Sequence, residues 1–554
     1  MTALQKKLAE ALRAQGASVL FGLIGGGNFA LAGAFRDSGG RYIGLRHEMN
    51  AVAAADSYAR TTGKVGLATV TQGPGLTHAV TAIVEAAKSH TPLLLLAADS
   101  AIGDTLSNQS VCQPNIAIAA DAGYVRWTRP MDVTQFVEAA LEQARRERRP
   151  ILVGFPPDFT TDPAGAELAA SDSLPAVTGA KPKAAHVSLD TAADLLCQAT
   201  RPTILAGRGA HLSSAGPDLI KLAEHLGAVL ATTAMADGLF SGHPQSAGVS
   251  GGFGDDHDAA VLADTDVLLV VGAALTSWTT RHGELYRNAS IIHLDDRADA
   301  FGRYTPAHHH LLGDAAHLAS ELRARVVSVT EPRPERSAGV AAQLSDRESE
   351  VYEELACDGR LNPRALTVAL DELIPLARCV TIDGGHFSGW PVMHMRAESP
   401  EALLYPHGFQ TIGLGIGSVV GVATARTDRV PVLAVGDGGL LMSLGELDTL
   451  LTENIPALVI VYNDDAYGAE LHAFAGAPNL DMARLPERDF ASIFVAMGGR
   501  AETIKTLADL TVIREWLESP TGPLLLDCRV SRGVVAPWLR FAFSHDHGNQ
   551  GSDA

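Results

Sequence analysis

The sequence predicts an α/β protein of three tandem domains, each a doubly wound, mainly parallel sheet. Three observations lead there. The chain has 554 residues, more than one hydrophobic core usually organises, and its 46% apolar and 19% charged residues suit folding rather than disorder. Short apolar runs alternate with helix-length segments along the whole chain, the pattern of right-handed βαβ units. Two stretches break that alternation and read as linkers: Pro163 to Lys183, rich in Ala, Pro and Ser, and EPRPERSAG from Glu331. The expected domains cover residues 1–165, 185–330 and 350–540.

In the first series a helix over Ala3 to Gln15 precedes strand VLFGL, a glycine turn and strand YIGL. A helix from about Glu48, strand GLATVT, a helix after GPG, and strand PLLLLAAD follow. The second series has RPTILAGRGA, GAVLATT, DVLLVVGAAL and ASIIHLDD as strand-like runs, and the third has CVTIDGG, VPVLAVGDGG, ALVIVYNDD and PLLLDCRV. Gly207-Arg208-Gly209 follows a strand without completing GxGxxG, so a tight turn and a dinucleotide contact both stay open. His308, His309 and His310 are adjacent, so their side chains diverge, and they read as a solvated loop rather than a metal site.

A net charge of −20 with no Lys/Arg run disfavours nucleic acid and anionic lipid as partners. The start, MTALQKKLAEALRAQG, has no apolar signal core, and no stretch reaches the ~20 apolar residues of a spanning helix, so no membrane association and a cytoplasmic setting are expected. The five cysteines have no metal-ligand spacing and read as reduced thiols.

The most informative segment is VLAVGDGGLLMSLGELDTLLTENIPALVIVYNDDAYG. One apolar strand ends at Gly436-Asp437-Gly438, a helix follows, and a second strand delivers Asn463-Asp464-Asp465, placing two strand ends side by side where open α/β sheets bind ligands. Glycines, a helix N-terminus and carboxylates together suit a metal-bound diphosphate. The competing reading is two ordinary acidic turns. The segment resembles the thiamine diphosphate motif, in which GDG is followed some 27 residues later by an Asn-Asn pair. That resemblance implies Mg2+ ligands at the Asp437 and Asp464 side chains and the Ala466 carbonyl, with Gly436, Gly438, Gly439, Tyr467 and Gly468 around the cofactor. Asp464 stands where Asn is more usual, and its charge adds to that of an anionic diphosphate.

A second segment, GLRHEMNAVAAADSYARTTGKVGLATVTQGPGLTHAV, resembles the pyrimidine-binding domain of the same enzymes. Glu48 matches the family's activating glutamate, whose implied task is to hydrogen-bond N1′ of the aminopyrimidine and favour the tautomer whose N4′ takes the C2 proton. A lone Glu at a helix start would otherwise read as a helix-dipole contact. By the same resemblance Ile412 is the apolar residue beneath the cofactor, Gln410 offers its carbonyl to the 4′-amino group, and Gly385, His386 and Ser388 form the diphosphate-side loop. Gly25, Gly26 and Gly27 match the loop facing the reactive ring, with Gly26 the candidate catalytic position. Gln113 sits near a glutamine that reaches substrate in several carboligases, with Gln109 close by.

The resemblance covers nearly the whole chain and is to the acetolactate synthase-like enzymes, with pyrimidine, central and diphosphate domains in that order. It implies a thiamine diphosphate-dependent lyase or carboligase that forms an acyl-anion equivalent from a small carbonyl substrate, a 2-oxo acid or 2-hydroxy ketone, as a homodimer or homotetramer. The alternatives are a 2-hydroxyacyl-CoA lyase or oxalyl-CoA decarboxylase-like enzyme and, from another class, a non-catalytic cofactor-binding regulatory subunit, against which Glu48 and the two Mg2+ carboxylates argue. FAD or ADP in the central domain is unsupported, because VGAALTSW (Val271–Trp278) stands where acetolactate synthases carry an arginine-rich run. Trp278 reads equally as a pocket wall or as core. His78 takes the place of Asn in the commoner GPGxTN turn and reads as a structural histidine; Tyr467, Glu470 and His472 lie on a loop that could approach substrate.

Overall fold

The computed structural model describes residues 3–100, 106–127, 133–156, 189–346 and 351–542. Each apolar run forms a buried parallel strand. The first sheet comprises Val19–Gly22 (β1), Arg41–Gly44 (β2), Gly66–Val70 (β3), Leu93–Ala98 (β4), Gly123–Arg126 (β5) and Pro150–Phe155 (β6), in the order β2-β1-β3-β4-β6-β5. The second comprises Pro202–Ala206 (β7), Val229–Thr232 (β8), Ser246–Val249 (β9), Val267–Val271 (β10), Ser290–Asp295 (β11) and His309–Leu312 (β12), in the order β12-β11-β10-β7-β8-β9. The third comprises Arg378–Ile382 (β13), Leu403–Leu404 (β14), Val430–Gly436 (β15), Leu458–Asn463 (β16), Arg500–Ile504 (β17) and Leu524–Arg529 (β18), in the order β14-β13-β15-β16-β18-β17.

The first and third sheets thus share one topology, and in each the strand order reverses between the first and third strands of the set. Ligands bind at such switch points, outside the carboxyl ends of the strands. Those ends carry Gly25–Gly27 and Gln72-Gly73 in the first sheet, and Gly384-Gly385 and Gly436-Asp437 in the third. In the second sheet the switch lies between β7 and β10, where Gly207–Gly209 meets Gly272.

The first and third units join through helix Glu48–Thr62, which packs on helix Gly415–Ala425. Their backbones touch because the second helix has glycine where it crosses the first: a Cβ on Gly421 would lie 2.1 Å from the Ala54 carbonyl oxygen, and one on Gly417 2.6 Å from that of Asn50. The alanine-rich face of the first helix completes this contact, and both helices are buried in one apolar core.

Two expectations are corrected. EPRPERSAG does not link domains: Pro334–Ser345 is a helix with its proline in the first turn, where a missing N–H costs nothing. Arg333 and Arg336 donate to the Ala199 carbonyl and Leu344 is buried, which clasps the helix to the second unit. His308–His310 is not a loop either, since His309–Leu312 forms edge strand β12. The His308 ring accepts from the Ile291 N–H, and the His310 ring stacks on Phe301. The expected linker from Pro163 to Lys183, and with it the boundaries at 165 and 185, lies outside the described residues.

Candidate active site

Parallel pairing of β15 with β16 sets Gly436 opposite Tyr462, so Asp437 and Asp464 emerge from adjacent strand ends. Asp437 is buried at the start of helix Asp437–Met442 and accepts from the Gly438 N–H at 2.9 Å; Asp464 accepts from the Ala466 N–H at 3.1 Å. Burial holds both carboxyls well above the usual carboxylate range, and the Asp464 charge raises Asp437 further. Arg360 and Arg532 pair with the next acid, Asp465, at 2.6 and 3.4 Å. A buried and a half-buried carboxylate beside a backbone carbonyl form an all-oxygen donor set that fits a hard divalent cation, which would let both ionise.

Four chain segments complete this half of the site around one cavity of about 1360 Å³. Gly436 to Gly439, Asp464 and Ala466 to Gly468 line it, as do Gly385, His386, Gln410 and Ile412. The His386 ring Nε2 accepts from the Ala536 N–H at 2.7 Å, which leaves the ring proton on Nδ1. Burial pushes this imidazole down to about 3, so it is a neutral donor. Ser388 is buried with its hydroxyl 3.3 Å from the Tyr405 hydroxyl and does not line the cavity. Trp278 lines the cavity and also packs edge-on against Phe253 and Trp538, so pocket wall and core both describe it.

The second half of the site lies on the first sheet. Glu48 opens its helix, and the His47 ring caps that helix by accepting from the Met49 N–H at 3.1 Å. The Glu48 carboxylate is 3.1 Å from Nδ1 of His78, whose ring stacks on that of His47 at 5.2 Å. His78, expected as a satisfied structural histidine, thus has a hydrogen bond and a ring stack, and its side chain is 57% exposed in the single chain while that of Glu48 is 9% exposed. Among the three loop glycines, a Cβ on Gly27 would lie 2.0 Å from Gln72 Oε1, whereas Gly26 faces open space. Gln113 is buried, donating to the Ala98 carbonyl at 2.7 Å, and its Oε1 has no hydrogen-bond partner among the described residues. The exposed amide on this side is Gln109, bonded to Gln72 at 2.8 Å. Glu48, Gly26 and Gln113 do not line the cavity that holds Asp437.

Two further residues order the site. Asp383, at the end of β13, accepts from the Gly413 N–H at 2.9 Å and the Leu414 N–H at 3.3 Å, fixing the loop after Ile412, and burial pushes its carboxyl up to about 6. TIDGG repeats the strand-end acid and glycines of VGDGG, so a signal for Asp383 was present. Glu85 accepts from the Gly408 and Phe409 N–H groups at 3.0 and 2.7 Å. No local pattern marks this contact, since the two N–H groups lie more than 300 residues away.

Three family descriptions match the chain: "Thiamine pyrophosphate enzyme, N-terminal TPP binding domain" over residues 2–121, the central domain over 189–322, and the C-terminal TPP binding domain over 383–528. A sulfoacetaldehyde acetyltransferase of Castellaniella defragrans is 26% identical over 532 residues, 90% of this chain and 88% of that protein. A probable acetolactate synthase large subunit of Methanococcus aeolicus is 27% identical over 544 residues, 94% of this chain and 90% of that protein. Among solved structures, a thiamine diphosphate-dependent 4-hydroxybenzoylformate decarboxylase of Rhodococcus jostii RHA1 superposes with a TM-score of 0.76 at 21% identity, covering 96% of this chain and 99% of that one.

Proposed function

This chain belongs to the thiamine pyrophosphate enzyme family, and from that premise we propose that Asp437, Asp464 and the Ala466 carbonyl hold Mg2+ against the cofactor diphosphate. It is a thiamine diphosphate-dependent enzyme of carbon–carbon bond chemistry. The observation that carries the metal assignment is the placement of Asp437 and Asp464 at the ends of the adjacent paired strands β15 and β16, beside the Ala466 backbone. His386 donates from Nδ1 on the diphosphate side, and Gln410 and Ile412 support the cofactor from below. Thiamine diphosphate, when bound, supplies a carbon nucleophile and an electron sink. Calorimetric titration of the purified protein with thiamine diphosphate and Mg2+ tests the assignment. Asp437→Ala is expected to weaken Mg2+-dependent binding at least about 100-fold, Asp464→Asn by much less, because Asn still offers an oxygen. Unchanged binding by Asp437→Ala would overturn it.

Glu48 manages the proton of the aminopyrimidine in this reading, and Gly26 leaves room beside the reactive ring. Glu48 does not line the cavity that holds Asp437, which supports reading the complete site as Glu48 from one subunit and Asp437 from its partner, in a homodimer or a tetramer of dimers. The reaction is a lyase or carboligase step on a 2-oxo acid or 2-hydroxy ketone. A second reading, a CoA-thioester substrate, is favoured by the cavity's extension to the second sheet's switch point, where Arg148, Arg208 and Arg297 line it. A panel of 2-oxo acids, acyloins and CoA thioesters, read for CO2, aldehyde, acyloin and formyl-CoA, separates the two. No helix among the described residues is long and apolar enough to cross a membrane, and the cysteines are free; both support a cytoplasmic setting.

A further inference from the structure

Glu48, as read above, must give up and recover a proton in every cycle, and its carboxylate is nearly buried. Among the described residues, its side-chain hydrogen-bond partner is the imidazole of His78. His78 approaches it with Nδ1 at 3.1 Å while the same imidazole stays more than half exposed. The short helix Pro74–His78 places the ring there, after a turn at Gly73 with φ +63°, where a Cβ would lie 2.5 Å from the Gln109 carbonyl oxygen. His47 fixes the ring plane: its own Nδ1 is used by the Met49 N–H, and its face stacks on His78 at 28° between planes. The imidazole is therefore held with one nitrogen on Glu48 and a ring open to water.

We propose that His78 is the proton-exchange residue of Glu48, carrying protons between the buried carboxylate and solvent. A proton leaves Nδ1 for Glu48 Oε2 as another enters Nε2 from water, so the imidazole keeps its charge and changes tautomer; the reverse transfer restores it. His78 acts through Glu48 and is a positioning residue in that sense. The titratable groups facing it are Glu48, in hydrogen-bond contact, and His47, stacked on its ring. This inference rests on the Glu48 reading, and the chain departs from the commoner Asn of this turn at this point.

The experiment measures deuterium exchange at C2 of thiamine diphosphate in the Mg2+-loaded holoenzyme by quenched flow, in dilute buffer and with added imidazole. His78→Asn keeps a hydrogen-bonding side chain that cannot shuttle protons. It is expected to bind cofactor normally by calorimetry, to exchange about tenfold or more slowly in dilute buffer, and to recover as imidazole concentration rises, with wild type insensitive to imidazole. In parallel, diethyl pyrocarbonate labelling of the holoenzyme, read by peptide mass spectrometry, should modify His78, since a relay to solvent needs an accessible ring after assembly. Wild-type exchange by His78→Asn, a deficit that imidazole does not relieve, or a His78 protected from labelling would each overturn the inference. Glu48→Gln separates the two readings: it should lose exchange with no imidazole rescue. Full exchange in that variant would remove Glu48 itself, whereas a silent Glu48→Gln beside an unaffected His78→Asn would remove His78 alone.

Discussion

At the residue scale, the same side-chain type is given different work by its surroundings. Glu48 keeps a half-open imidazole as partner, Asp437 and Asp464 face each other in burial, and Asp383 is turned wholly toward backbone N–H groups. Glu48→Gln retains size and polarity, so the variant should fold and bind thiamine diphosphate yet lose at least about 100-fold in turnover, the scale of general acid–base assistance; a wild-type rate on any substrate of the panel would refute the role. Asp383 yields a pH prediction. Its carboxyl sits near 6 in the folded chain against about 4 unfolded, so between those values the folded state holds a proton that the unfolded state has lost. Its contribution is fully present below about pH 4 and is lost as pH rises to about 6, after which it is constant. Thermal melts of the apoprotein should fall across that window, and Asp383→Asn should flatten the slope; an equal slope in both proteins would contradict the assigned burial effect.

At the element scale, helices and loops distant in sequence are tied by buried polar groups as much as by apolar packing. Helix Val80–Lys88 presents Glu85 to Arg60 at 2.9 Å and to the backbone of Gly408 and Phe409, just before Gln410 and Ile412. Arg60 is shared with Asp56 at 2.6 Å. Burial pushes the Glu85 carboxyl up, but Arg60 and the two N–H groups outweigh it and hold it below its ordinary range. Glu85→Ala would leave a buried guanidinium with one partner and two N–H groups with none. A loss of about 3–5 kcal/mol is expected, measured by urea denaturation, together with weaker cofactor binding as the loop before Ile412 loosens. Stability within about 1 kcal/mol of wild type would show that the loop is held by packing alone.

At the scale of the whole molecule, the cavity that holds Asp437 is lined by residues of all three units, among them Arg60, Arg208 and Gly438, but not by Glu48. Mixing Glu48→Ala and Asp437→Ala proteins under conditions of subunit exchange should regenerate some intact sites, up to about a quarter of wild-type activity for random re-pairing in dimers, by counting pairings under two-fold symmetry. No recovery despite exchange, tracked by native mass spectrometry, would place both residues in one subunit's site. The close crossing at Gly417 and Gly421 belongs to this scale too, because it sets the Glu48 helix rigidly against the diphosphate unit of its own chain.

The sequence by itself determined the strands, the three parallel sheets and the grouping of acids and glycines at the ends of β15 and β16. Those properties are local: apolar runs of strand length, glycines at strand ends, and acids at fixed spacing carry their physical reason within a few residues. It also gave the wrong state to Pro334–Ser345, read as a linker though its proline opens a helix, and to His309–Leu312, where two part-buried histidines begin an edge strand. Tertiary structure alone decided which acid meets which partner. Glu48 with His78, Glu85 with Gly408, Asp383 with Gly413 and the division of the site into two faces all depend on segments 30 to more than 300 residues apart. No periodicity records such pairings, because they are set by how whole sheets and helices pack.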